Sequence, residues 1–134
     1  MKAILFSTKI TLSDLALLIL RVSTGAMMLT HGWPKLANYA ERSLNFRDPI
    51  GIGSAFSLQL AIFAEVICAL LIIVGLATRV ALIPLIITMT VAAFIVHADD
   101  PFSKQELALL YLFPFISLLF LGPGRFSVDA LIKK

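Results

Sequence analysis

Two residues of this chain carry charge where charge is expensive. Arg21 falls near the middle of one long apolar stretch and Glu65 near the middle of another, and a lone charge at the centre of a bilayer costs several kcal/mol. Each lies about ten residues from the end of its stretch, or about 15 Å along a helix axis, which predicts similar depths. On adjacent antiparallel helices the two should form an ion pair, because a buried charge needs a partner. Such a pair serves either as a clip fixing helix register or as the polar lining of a substrate or proton path, with the residue types favouring neither, and lipid exposure is excluded.

A second group marks the ends of apolar stretches. His31 closes the first and His97 the third, so an up-down-up-down chain puts both at one membrane face with Trp33, Lys35, Asp99 and Asp100 nearby. Histidine titrates near neutral pH, which suits hydrogen bonding or proton exchange at a cavity mouth. Two interfacial histidines that merely terminate helices are an equally good reading. No H-x-x-x-H or H-E-x-x-H spacing occurs, so no metal site is assigned. The single cysteine, Cys68, excludes an intrachain disulfide, a C-x-x-C pair and a thiolate-rich site, and one turn from Glu65 it reads as a small buried apolar residue. Gly25, Gly32, Ala61, Ala64 and Ala69 read as positions of close helix approach. Phosphate loops, nucleophile elbows and haem-attachment motifs are missing from the sequence.

The elements that must position these groups follow from composition. Of 134 residues 60% are apolar and 14% charged, and the mean hydropathy is +0.99; soluble domains carry roughly 25% charged residues. The net charge of +3 comes from scattered Lys and Arg with no basic stripe, which sets nucleic acid aside. Intervals 49–64, 80–96 and 107–124 hold no Asp, Glu, Lys or Arg. The chain is therefore read as one integral membrane domain over 1–134, all-α, an antiparallel four-helix transmembrane bundle with spans near 12–32, 55–76, 80–97 and 107–121. Hydroxyl-to-acid spacings at Thr11 to Asp14 and Ser103 to Glu106 predict caps for the first and fourth helices. Gly32-Trp33-Pro34 should end the first, Gly75 to Arg79 turn tightly, and Gly122-Pro123-Gly124 close the fourth. Pro84 falls in the first turns of helix three, and Pro114 should kink helix four. No removable signal peptide is expected, since the apolar stretch from Ala3 to Phe6 breaks at Ser7, Thr8 and Lys9. The connector 35–54 is the one long linker, a position often used as a lid or partner surface, and its glycine-rich 50–53 portion should dip toward the headgroups. Lys and Arg number six on the side of the termini against four on the other, a mild bias toward cytoplasmic termini.

Leu20-Arg21-Val22, Thr30-His31-Gly32-Trp33-Pro34-Lys35, Asp48-Pro49-Ile50-Gly51-Ile52-Gly53, Phe63-Ala64-Glu65, Val96-His97, Lys104 to Tyr111 and Gly122 to Asp129 occur in an order that resembles the DoxX family of small membrane proteins over nearly the whole chain. The resemblance implies a four-helix protein of the bacterial cytoplasmic (inner) membrane. It also implies a link to redox metabolism, with quinone as electron acceptor in some relatives and oxidoreductase complexes in others. Its polar positions are Arg21, His31, Lys35, Glu65, Arg79, His97, Arg125 and Asp129. The chain lacks an added soluble domain of the kind that would supply a thiosulfate-oxidising site.

Three functions fit. The first is a membrane redox subunit binding a quinone or similar ring in the bundle, with Arg21, His31, Trp33, Lys35, Glu65 and His97 as candidate site residues. Arg21 and Glu65 would form its polar floor, His31 or His97 would donate protons, and Met27, Met28, Phe63 and Phe94 would be apolar neighbours. No redox cofactor is built into the sequence, so electrons would need a membrane or soluble partner protein or direct attack by a donor. The second is a non-enzymatic anchor or stabilising partner of another protein, acting through loop 35–54. The third is a permeation protein, which with so few spans would act as a homo-oligomer.

Overall fold

The computed structural model describes residues 10–133. The helices are α1 Ile10–Ala37, α2 Tyr39–Arg42, α3 Ser54–Val74, α4 Thr78–Val96, α5 Phe102–Leu121 and α6 Val128–Ile132. Four of them, α1, α3, α4 and α5, are long and apolar enough to cross a membrane. They pack in a ring in the order α1, α3, α4, α5, with α5 returning to α1, around buried Met28, Ile72, Leu82, Leu85, Phe115 and Leu118. The chain is a multi-pass, all-α membrane protein.

Several helix ends differ from the sequence reading. α1 runs through Gly32-Trp33-Pro34 to Ala37. Pro34 deprives the Thr30 carbonyl of a donor, but Thr30 is exposed near the end of the span, and such losses are tolerated where water or a hydroxyl can answer them. Beyond the proline the helical bonding resumes, with Asn38 N–H donating to Pro34 O at 3.1 Å. Thr11 and Ser103 fall within their helices rather than before them, and Pro101 precedes α5. Asp14 instead reaches across to accept from Arg125 N–H at 3.2 Å. The predicted turn at Gly75 is present, with φ +77, and Ala77 beside it also adopts the left-handed region at φ 49.

Close approach of α1 to α3 fixes their register. A Cβ on Gly32 would lie 2.6 Å from the Glu65 carbonyl oxygen, and one on Gly25 would lie 3.1 Å from the Ala69 carbonyl. Farther along, a Cβ on Gly75 would come within 3.2 Å of the Arg21 guanidinium carbon. Glu65 therefore faces Gly32 and Arg21 faces Gly75, so the two charges are separated by about ten helical residues, or about 15 Å. Two segments are π-wound, Phe63–Cys68 in α3 and Ala92–Val96 ending α4, and such turns occur often at functional sites.

Candidate functional site

The expected Arg21–Glu65 ion pair does not form. The sequence reading centred the first helix at residue 22, but the helix extends five residues further and slides Glu65 against its outer part. Each charge finds its own partners at an opposite end of the bundle.

Arg21 belongs to the end that holds the α3–α4 turn and α6. Its Nη1 donates to Pro123 O, and its Nη2 donates to Phe126 O at 2.6 Å. Its Nε is buried without a partner among the described residues. Asp129 accepts from Ala77 N–H at 2.7 Å and Thr78 N–H at 2.9 Å, capping α4 from a distant part of the chain. Burial alone would raise the Asp129 carboxyl, but these donors and the positive field of Arg21 hold it below its ordinary 3.8. Together these contacts latch the segment after α5 onto the α3–α4 turn. A hollow of about 420 Å³ beside this latch is an open surface groove. There Arg79 is already spent on the Leu119 and Phe120 carbonyls.

Glu65 belongs to the other end. Lys35, on the part of α1 that the sequence reading left outside the helix, pairs with Glu65 Oε2 at 2.5 Å. The Glu65 side chain is only 4% exposed and that of Lys35 21%, so the carboxylate depends on this single cation. Lys35 Nζ also stands 5.9 Å from the Phe46 ring centroid, which gives it a cation–π contact. Phe46 lies in the long loop, which Asp48 folds back on itself by accepting from Ile52 N–H, Gly53 N–H and Ser57 Oγ. The Gly53 N–H, the other donors after it, holds the Asp48 carboxyl below its ordinary value. Ile50 and Ile52, expected to dip toward headgroups, line a cavity beneath the loop.

That cavity, about 320 Å³, lies between α3, α4 and the loop. Its walls are mainly apolar, with Phe46, Leu60, Ile87, Met89 and Val96 among them, and Lys35, Glu65, Arg47 and His97 supply polar groups. A second, smaller cavity of about 160 Å³ lies on the α1–α5 side, lined by His31, Lys104, Ala108 and Tyr111. Glu65, Met89, Ala92 and His97 border both and form the partition between them. His97 Nδ1 meets Asp100 Oδ2 at 2.8 Å, and this hydrogen bond from the imidazole keeps the Asp100 carboxyl below its ordinary value. His31 and Tyr111 pack edge to face with ring centroids 5.6 Å apart.

The structure thus brings together Lys35, Glu65, His31 and His97 and leaves out Arg21 and Trp33. Trp33 is 59% exposed and lines neither cavity. Met27, Phe63 and Phe94 also face outward, while Met28 is buried beside the smaller cavity. Sequence reasoning missed Tyr111, Lys104 and Phe46. Lys104, Ala108 and Tyr111 follow one another at the four- and three-residue spacing that lines one face of a helix. Among the described residues no cluster of His, Cys, Asp and Glu is arranged to hold a metal ion.

Four apolar spans around a buried ion pair and two cavities define a small polytopic membrane protein with a polar site near one end of its bundle. The chain belongs to the DoxX family, whose profile matches residues 16–98 and so takes in Lys35, Glu65 and both histidines. It is 31% identical over 130 residues to an uncharacterized protein of Haemophilus influenzae, covering 91% of this chain and 86% of that one. It is 27% identical over 129 residues to the inner membrane protein YqjF of Escherichia coli, covering 92% and 96%. Over 122 residues it is 30% identical to a Bacillus subtilis protein named "Putative oxidoreductase CatD", covering 90% of each. No solved structure matches the chain.

Proposed function

We propose that this protein is an inner-membrane redox subunit that binds a quinone-class ring in the cavity between α3, α4 and the long loop. The observation that carries the reading is that cavity's composition: an apolar chamber of about 320 Å³ with Lys35, Glu65 and His97 on its wall. A quinone presents two carbonyl acceptors that gain negative charge on reduction, so its site needs donors beside an apolar channel and a source of protons. Lys35 has further N–H donors beyond the one given to Glu65. His97, held through Nδ1 by Asp100, keeps Nε2 for proton exchange. The relative named as an oxidoreductase supports the same chemistry. With one cysteine and no haem-attachment motif in the sequence, the electrons would come from a partner protein or from a donor attacking the ring directly. The mild excess of Lys and Arg beside the termini favours placing them in the cytoplasm.

Titration of a short-chain quinone analogue into the purified protein in nanodiscs tests this reading. Saturable binding is expected, weakened in Lys35→Met and His97→Phe and retained in Arg21→Met, with little turnover by the protein alone. Folded protein that shows no saturable binding, together with a partner complex that assembles normally when Lys35 and His97 are replaced, would establish the anchor reading instead.

A further inference from the structure

The smaller cavity has no place in ligand binding as described, yet it gathers the polar groups that have nothing else to bond. Among the described residues, Glu65 Oε1, the Tyr111 hydroxyl and both His31 ring nitrogens have no hydrogen-bond partner. Neither the Glu65 oxygen nor the Tyr111 hydroxyl is sealed away from a water-sized probe, and His31 is exposed. Buried polar groups are ordinarily satisfied by protein or by ordered water. A cavity of about 160 Å³ accommodates several waters, each of about 30 Å³ with two to four polar partners to hold it. Its outer rim carries exposed His31 and Lys104, and its inner wall is Glu65 itself.

We infer that this cavity is a water-filled proton chamber that connects Glu65 to the aqueous phase on the side of Glu65 away from the larger cavity. Its use in chemistry rests on the ligand reading above, while its existence does not. In the exchange, an O–H bond of hydronium breaks and one forms on Glu65 Oε1, leaving water in the chamber. Lys35 keeps its proton and loses its counter-charge. The charged and titratable groups that face Glu65 are His31 and Lys35 from α1, His97 at the end of α4, Lys104 and Tyr111 from α5, and Arg47 from the loop. The three cations among them, Lys35, Lys104 and Arg47, keep positive charge around the carboxylate. The partition explains the arrangement: one side of Glu65 takes an apolar ring from the bilayer, and the other takes protons from water. The π-wound segment that contains Glu65 and the one that precedes His97 both form this partition.

The test uses ligand-free protein in nanodiscs and reads proton exchange at Glu65 as the rate at which its infrared carboxylate band decays after a rapid drop in bulk pH, the band identified by its loss in Glu65→Gln. Ala108→Leu fills the proton chamber, and Ala61→Leu narrows the larger cavity. Exchange should slow by about tenfold or more in Ala108→Leu, within the range by which positioned proton-transfer groups act, and should be unchanged in Ala61→Leu. His31→Phe and Tyr111→Phe remove polar lining at nearly constant volume and should slow exchange if Ala108→Leu does not fold. The opposite pattern, equal rates in all variants, or a Glu65 band that does not respond to the drop in pH, overturns the chamber. Because no quinone is present, failure here leaves ligand binding standing, and failure to bind a quinone leaves the chamber standing.

Discussion

The two ends of the bundle each bury a charge, and they treat it in opposite ways. At one end Arg21 gives its terminal nitrogens to the carbonyls of Pro123 and Phe126, and Asp129 ties off the amides that begin α4. At the other end Glu65 has one cation, Lys35, its second carboxylate oxygen has no hydrogen-bond partner among the described residues, and the residue borders both cavities. Arginine bonded to main-chain carbonyls is locked into the fold, since those acceptors cannot move without moving the chain. A carboxylate held by a flexible lysine stem can exchange partners. Intramembrane charge alone therefore does not separate the two ends; bonding capacity left beside a cavity does.

The largest expected effect falls at the Glu65 end. Lys35→Met leaves a buried carboxylate without its counter-ion and should destabilise by about 3–5 kcal/mol, the range for breaking a buried pair. Steric-trap unfolding of a Lys35→Met and Glu65→Leu cycle should show strong coupling, whereas Arg21→Met and Glu65→Leu should be additive. Coupling between Arg21 and Glu65 would erase the distinction between the ends.

At the other end Arg21→Met strands the Pro123 and Phe126 carbonyls and should cost about 1–3 kcal/mol, with quinone-analogue affinity unchanged in the folded fraction. Gly75→Ala should cost a similar amount, about 1–3 kcal/mol. Its Cβ would fall 2.5 Å from Ser127 Cβ at a φ of +77. Ser127 and Phe126 share the latch, so the two substitutions should be non-additive in the same unfolding measurement.

The smallest effect is on pH dependence. Asp129 and Asp48 both have carboxyls depressed in the fold below the ordinary 3.8. Their stabilising contribution is then complete above that value and is lost as pH falls through the depressed one. Amide exchange in acid should therefore accelerate at Ala77 and Thr78 at one end and at Ile52 and Gly53 at the other. Asp129→Asn should remove the response only at the first pair and Asp48→Asn only at the second.

Helix number, apolar faces and the presence of two costly charges were legible in the sequence, because bilayer thickness and backbone hydrogen bonding dictate them residue by residue. So was the placing of His31 and His97 at one end of the bundle, where both border the smaller cavity, since it follows from alternating helix direction alone. Which charge met which partner was not legible. It depended on α1 continuing past Pro34, which put Lys35 on a helix, and on Gly32 and Gly25 letting α3 settle in one register. A slide of ten residues exchanges every partner along an interface while leaving composition and periodicity untouched. The capture of Arg21 by carbonyls more than one hundred residues away and the arrival of Tyr111 beside Glu65 are likewise products of packing. The sequence determined what had to be buried, and the tertiary structure decided against what, because register and long-range contact have no local signature.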